Sequence, residues 1–207
     1  MKNKKESNIR NISIILIPVL IILSMILYYQ KSPFWFNPAV IGFWLLFDNI
    51  SYSQNNKTTL DLIINKNYKK FFDLYFLLIL LAVFIEGTGS LLLQLWSYPK
   101  LWSFQPLSKL IIINIIGYLF YPFIFMSFKE MYSFLLSIFK NNIISITLAT
   151  LLSIIIWEIP NNSSIDWIYK VPFINLEIVN INIFIITTWF FLILIPIYIY
   201  KYLNIKS

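Results

Sequence analysis

FFDLYFLLILLAVFIEGTGSLLLQLW, residues 71–96, is the stretch that decides the class of this chain. After Asp73 its only charged residue is Glu86. A hydrocarbon core of about 30 Å is crossed by about 20 apolar residues in a helix, and this run is longer than that. A carboxylate at the centre of such a span costs about 2.5–3.5 kcal/mol on insertion scales and usually marks function.

Working outward, Glu86-Gly87-Thr88-Gly89 leads to Trp96-Ser97-Tyr98-Pro99. A second stretch follows the same plan. Trp157-Glu158-Ile159-Pro160-Asn161 leads to Trp167-Ile168-Tyr169, with Pro172 just beyond. Each unit is read as an outward helix bearing a glutamate, then an aromatic loop, then a returning helix with an early asparagine. That asparagine is Asn114 in the first unit and Asn180 or Asn182 in the second. The pattern predicts two parallel helical-hairpin repeats related by an axis along the membrane normal. The glutamate-to-tryptophan spacings differ by one residue.

The rest of the chain fits the same class. It has 207 residues, 59% hydrophobic and 12% charged, where soluble domains carry about 25% charged residues. The reading is an all-α polytopic membrane domain over 1–207. Six spans are expected at 11–29, 33–50, 71–96, 107–128, 143–159 and 181–200, the first two forming an N-terminal hairpin. A short interfacial helix is expected at 131–139, with continuation of a bent fourth helix as the alternative. The basic start is read as an uncleaved anchor, because Tyr28-Tyr29-Gln30-Lys31 follows the first span and no small-residue cleavage site does.

Charge placement sets the orientation. With the N-terminus in the cytoplasm, twelve lysine and arginine residues fall inside. Only Lys31, Lys100, Lys109 and Lys170 fall outside. This is the asymmetry of a multi-pass cell-membrane protein with both termini cytoplasmic. The net charge of +7 therefore reflects topology. No basic stripe interleaved with exposed aromatics points to nucleic acid. Asp48, near the inner end of the second span, is expected to pair with Lys69 or Lys70.

Cysteine and histidine are both absent. That excludes thiol chemistry, disulfides and metal sites built on imidazole or thiolate, and no cofactor is implied. Proton chemistry falls to carboxylates, tyrosines, lysines or water.

Fifteen residues separate Phe71 from Glu86 and Ile143 from Glu158, about 22 Å of helix in each case. Both acids are thus expected at similar heights in the outer third of the bilayer, facing a shared polar pocket. Glu86 and Glu158 are the candidate catalytic residues. Asn114, Trp96, Tyr98, Trp167, Tyr169 and Asn182 are the candidate substrate-binding residues. Gly87 and Gly89 are read as sites of close helix packing or of local unwinding beside a site. Asn161-Asn162-Ser163-Ser164 contains glycosylation sequons.

Glu86, Trp96, Tyr98, Glu158, Trp167 and Tyr169 together resemble the repeat of the small lycopene-cyclase domain proteins of carotenoid synthesis. Small membrane proteins of bacteria and archaea show comparable patterns. The resemblance covers about residues 71–200 and implies a compact multi-helix membrane enzyme acting on an isoprenoid. That family carries a Pro-x-Glu-Glu-like acidic motif on the returning helix. Here the stretch is Pro172-Phe173-Ile174-Asn175-Leu176-Glu177, which departs from that motif in having one glutamate, at a different spacing.

Three functions stay open at this level. One is a lipid-active enzyme, an isoprenoid isomerase or cyclase, with membrane lipid and an apolar small molecule as partners. Another is a small-solute or proton-coupled transporter, for which six spans are few unless the chain forms a homo-oligomer. The third is a structural subunit of a membrane complex.

Overall fold

Asn37, Pro38, Asp48 and Asn49 dilute the apolar residues of the second helix, and the structure places that helix where lipid does not reach. The computed structural model describes residues 4–54, 57–99, 107–164, 167–170, 176–178 and 181–205. Among the described residues seven α-helices follow in order: α1 (Lys4–Tyr29), α2 (Phe36–Ser53), α3 (Thr59–Ile64), α4 (Tyr68–Glu86), α5 (Leu107–Phe139), α6 (Asn142–Ser164) and α7 (Ile183–Tyr202). Two-residue strands form two small ribbons: β1 (Trp96–Ser97) with β2 (Ile168–Tyr169), and β3 (Glu177–Ile178) with β4 (Ile181–Asn182). The fold is all-α apart from these ribbons.

Among the described residues, five helices are long and apolar enough to cross a membrane: Ser7–Tyr29, Tyr68–Leu92, Ile115–Phe139, Asn142–Asn161 and Ile183–Tyr202. Their outer faces are bare hydrocarbon. Ile15 on α1, Phe84 on α4, Ile155 on α6 and Phe191 on α7 are all more than half exposed. Apolar faces of this extent are stable only against lipid. The protein is a multi-pass integral membrane protein.

The sixth expected span, 33–50, is not among these five. Its helix, α2, packs against α1 on one side and α5 on the other. Gly42 lets α1 come close, because a Cβ there would meet Ile21 Cγ1 at 3.2 Å. Val40, Trp44 and Leu45 are buried on the same helix.

For the segment 131–139 the structure has the alternative, continuation of the bent fourth helix. Residues 131–139 are not a separate interfacial helix. They continue α5 without a break, and Pro122 lies inside that helix. Met131 and Leu135 are buried in the bundle, which is why this segment does not lie along the surface. Lys140, at φ 52°, ends α5, and the Asn141 side chain caps the start of α6 by accepting from Ile144 N at 3.1 Å.

Apolar burial gives helices little reason to associate inside lipid, so packing and polar contacts hold the bundle. At one end of the bundle, the end that holds Arg10, these contacts form one layer around Thr58 and Thr59. Arg10 of α1 bonds Asp48 of α2, and also reaches Thr58 Oγ1 at 2.7 Å and Asp61 Oδ1 at 2.6 Å. Asp48 Oδ2 accepts Leu60 N–H at 2.9 Å. Glu130 Oε1 of α5 accepts both the backbone N–H and the hydroxyl of Thr59, at 2.8 and 2.7 Å. Lys129 pairs with Glu130 at 3.2 Å, and the Tyr200 hydroxyl of α7 meets Thr59 Oγ1 at 2.5 Å.

Asp48 is therefore paired with Arg10, not with Lys69 or Lys70. The forked guanidinium reaches two carboxylates at once, which a single ammonium does less well. Lys70 reaches instead to the backbone carbonyl of Asn204 at 3.3 Å.

Candidate functional site

The second polar layer sits at the opposite end of the bundle, and both intramembrane acids are in it. Glu86 ends α4. Beyond it the helix widens into a π-turn, Gly87–Leu92, a feature common at functional sites. Gln94 then turns the chain back at φ 52°, and Leu95 N–H bonds Gly89 O at 2.7 Å. This turn lays Trp96 across the helix it has just left. A Cβ on Gly89 would lie 1.7 Å from Trp96 Cη2. Gly89 thus makes room for an indole, whereas Gly87 has open space beside it.

Glu86 is buried, with 7% of its surface exposed. Its Oε1 accepts from the hydroxyls of Tyr98 and Tyr121, each at 2.6 Å, and its Oε2 accepts from Trp96 Nε1 at 3.0 Å. Glu158 is 1% exposed. Its Oε1 accepts from the Tyr169 hydroxyl at 2.5 Å and from Trp189 Nε1 at 2.7 Å. Trp167 Nε1 donates to the Tyr169 hydroxyl at 3.0 Å. From the Trp-x-Tyr loop that follows it Glu86 takes two donors, Trp96 and Tyr98, and Glu158 takes one, Tyr169; each takes one more from the helix that returns: Tyr121 on α5, Trp189 on α7. Every one of these groups donates, which is the arrangement that suits an ionised carboxylate. Among the described residues, neither acid has an ion-pair partner.

The two loops are joined. Trp96 pairs with Tyr169 and Ser97 with Ile168 in an antiparallel ribbon. Lys170 N–H bonds Leu95 O at 2.7 Å on one side. Extending the register by one residue on the other side puts Tyr98 opposite Trp167. The ribbon is thus centred on the middle residue of both Trp-x-Tyr motifs. Burial pushes the Tyr98 and Tyr169 hydroxyls well above the usual tyrosine range, with the neighbouring tyrosine and carboxylate adding to it. Both remain protonated donors across physiological pH.

Beneath the ribbon lies a cavity of about 110 Å³. It is half open and is lined by α2, α4, α5, α6 and α7 together with the two loops. Eleven of its eighteen lining residues are aromatic, and Glu86 is the one charged residue among them. Phe36 of α2 and Trp157 of α6 meet at 5.1 Å between ring centroids, and Phe36 also meets Tyr121 at 6.0 Å. Phe128 and Trp189 meet edge to face at 5.6 Å.

Of the residues singled out from the sequence, Glu86, Trp96, Tyr98, Trp167 and Tyr169 line this cavity. Glu158 stands behind its wall, bonded to Tyr169 and Trp189. Asn182 is not in the lining: it caps α7, its side chain accepting from Phe184 N at 2.9 Å. Asn114 belongs to α5, and its side chain is outside the described residues, as is Pro172. Asn161, the first sequon asparagine, is buried, and its side chain clamps Trp167 through bonds of 2.9 and 3.0 Å.

Sequence reading missed Tyr121, Trp189 and Phe36. One signal was present for the first two: an aromatic residue able to donate a hydrogen bond, in the helix following each glutamate. Among the described residues there is no group of acids, histidines or cysteines able to hold a metal ion. Comparison of the chain with models of protein families, with curated proteins and with solved structures returns no match.

Proposed function

We propose that this protein is a lipid-active membrane enzyme that takes a branched apolar segment, such as a prenyl chain, into the cavity under the Trp-x-Tyr ribbon. The observation that carries this reading is a half-open, ring-lined space with a single charged group on its wall. An apolar cavity of about 150 Å³ accepts benzene in a soluble protein. The space here suits one end of a larger molecule whose remainder lies in the bilayer. The reaction class is isomerisation or cyclisation of an isoprenoid, in which positive charge develops on carbon and ring faces stabilise it. Glu86 and Glu158 already accept several donors each. Their part is to orient the rings and set a negative potential, not to deliver a proton. The same saturation weighs against proton-coupled transport.

The proposal includes a topology. Six spans, with α2 as the second, put both termini in the cytoplasm and the ribbon on the outer side. The two hairpins, α4–α5 and α6–α7, are parallel repeats. The loop tyrosine that each glutamate bonds, Tyr98 for Glu86 and Tyr169 for Glu158, the further donor from each returning helix, and the centred register of the ribbon support that relationship.

The test is the lipid that accompanies the purified protein, identified by mass spectrometry. An isoprenoid is expected with the wild type and is expected to be lost from Ala82→Leu, which fills the cavity. Equal amounts of the same lipids in both proteins would overturn the reading.

A further inference from the structure

Two buried carboxylates stand at one aromatic chamber, and the described structure supplies no cation to balance them. Arg10 and Lys129 belong to the layer around Thr58 and Thr59, each bound to its own acid there. Lys170 follows Tyr169 directly but is exposed, so water and salt screen it. Burying ionised carboxylates without a counter-charge is costly. Hydrogen-bond donors relieve that cost locally and leave the net charge in place. Among the described residues, nothing cancels the negative charge that these carboxylates bring to the chamber when ionised, and charge acts strongly where the dielectric is low.

The wall chemistry points the same way. Tyr98, Tyr121 and Trp96 donate to Glu86, and Tyr169 and Trp189 donate to Glu158. A phenol or indole that donates to an anion gains electron density in its ring. The faces of such rings attract cations, and more so when water is excluded. A small inorganic cation would have to shed tightly held water here and would find few oxygen ligands. An alkylammonium group carries its charge behind methyl or methylene groups, is weakly hydrated and matches an aromatic wall.

We infer that the chamber is a binding site for an alkylammonium group, of quaternary or tertiary form. This deepens the reading above and rests on the same cavity, because such a group is a stable counterpart of a cation centred on carbon. The group has two sources: the headgroup of a choline lipid, or a free organic cation.

Choline and its neutral carbon counterpart, 3,3-dimethylbutan-1-ol, provide the test, because they share a shape and differ in charge. Trp96, Trp157, Trp167 and Trp189 line the chamber, so tryptophan fluorescence of the full-length protein in neutral detergent reads occupancy. Choline is expected to bind about tenfold or more tighter than the alcohol, the range of desolvated cation–π contacts. In Glu86→Gln with Glu158→Gln that preference is expected to fall close to one. Equal binding of the two probes by the wild type would overturn the alkylammonium inference and leave the apolar-ligand reading standing. Failure of both probes to bind, together with loss of the isoprenoid result above, would overturn both.

Phosphatidylcholine nanodiscs, compared with phosphatidylglycerol nanodiscs, separate the sources. Retained phosphatidylcholine that choline displaces upholds the inference with a headgroup as the source. Choline binding unchanged between the two lipids upholds it with a free cation.

Discussion

The indole of Trp96 occupies the space that any side chain on Gly89 would need, 1.7 Å from the position of a Cβ. It is held there by its bond to Glu86, at 3.0 Å. A glycine in the π-turn, an acid three residues before it and a tryptophan seven residues after it therefore form one unit. Gly89→Ala is expected to push the indole off Glu86 and to destabilise the protein by about 1–3 kcal/mol, the usual cost of overpacking. Gly87→Ala, with open space around it, is expected to be neutral or mildly stabilising, as alanine is the better helix former. Thermal unfolding in detergent, followed by tryptophan emission, compares the two.

Tyr121 and Tyr98 converge on the same oxygen of Glu86. Removing one hydroxyl, Tyr121→Phe, is expected to cost about 1.5–3 kcal/mol, the worth of a hydrogen bond to a charged group. Once the carboxylate is replaced in Glu86→Gln, the same change is expected to cost much less. A double-mutant cycle that returns additive costs would show that the two side chains do not act on each other.

In the layer around Thr58 and Thr59, Arg10→Met leaves Asp48 buried beside Thr58 with its cation gone. The expected loss is about 3–5 kcal/mol. Lys69→Ala and Lys70→Ala are expected to stay within about 0.5 kcal/mol, as surface changes do. Urea or thermal midpoints of the three variants decide the matter. An effect of Lys69→Ala as large as that of Arg10→Met would contradict the pairing described.

Alkali has a defined sign. Burial raises the Tyr98 and Tyr169 hydroxyls above the ordinary tyrosine value of about 10, so above about that pH the folded chain holds protons that the unfolded chain releases. Their contribution to stability is complete below pH 10 and falls as pH rises further. Ultraviolet titration is expected to show these two tyrosines ionising only with unfolding. Tyr98→Phe with Tyr169→Phe removes that part of the alkaline loss.

The absence of cysteine makes topology directly measurable, since every introduced thiol is the only one. Lys170→Cys is expected to react with an impermeant maleimide from outside intact cells, and Lys140→Cys only after lysis. The reverse labelling would invert the orientation.

Much of this was readable from the chain because it rests on local chemistry. Glu86 and Glu158 stand out within apolar runs, and the Trp-x-Tyr pairs mark the loops. Other features depend on which face of a helix meets which neighbour. Tyr121 lies in an aromatic-rich run, where nothing local separates a donor to Glu86 from a packing residue. Glu130 sits in Lys129-Glu130 and reads as a surface pair, yet it is fully buried against Thr59. Arg10 reads as one more positive residue at the cytoplasmic edge. Its role appears only when α3 folds back and carries Asp61 and Thr58 to it. Lys129-Glu130 lies between the span expected at 107–128 and the segment 131–139, and α5 runs through it because both side chains are buried and paired with each other.

The seam between Trp96 and Tyr169 has a genealogical consequence. Pairing centred on the middle of both motifs is self-complementary: reversing the roles of the two strands leaves it unchanged. Two identical hairpins meeting across a dyad make a contact of this isologous kind. A gene encoding one hairpin, forming a homodimer, would already possess the seam. Duplication and fusion would then free each copy to diverge without reinventing the joint.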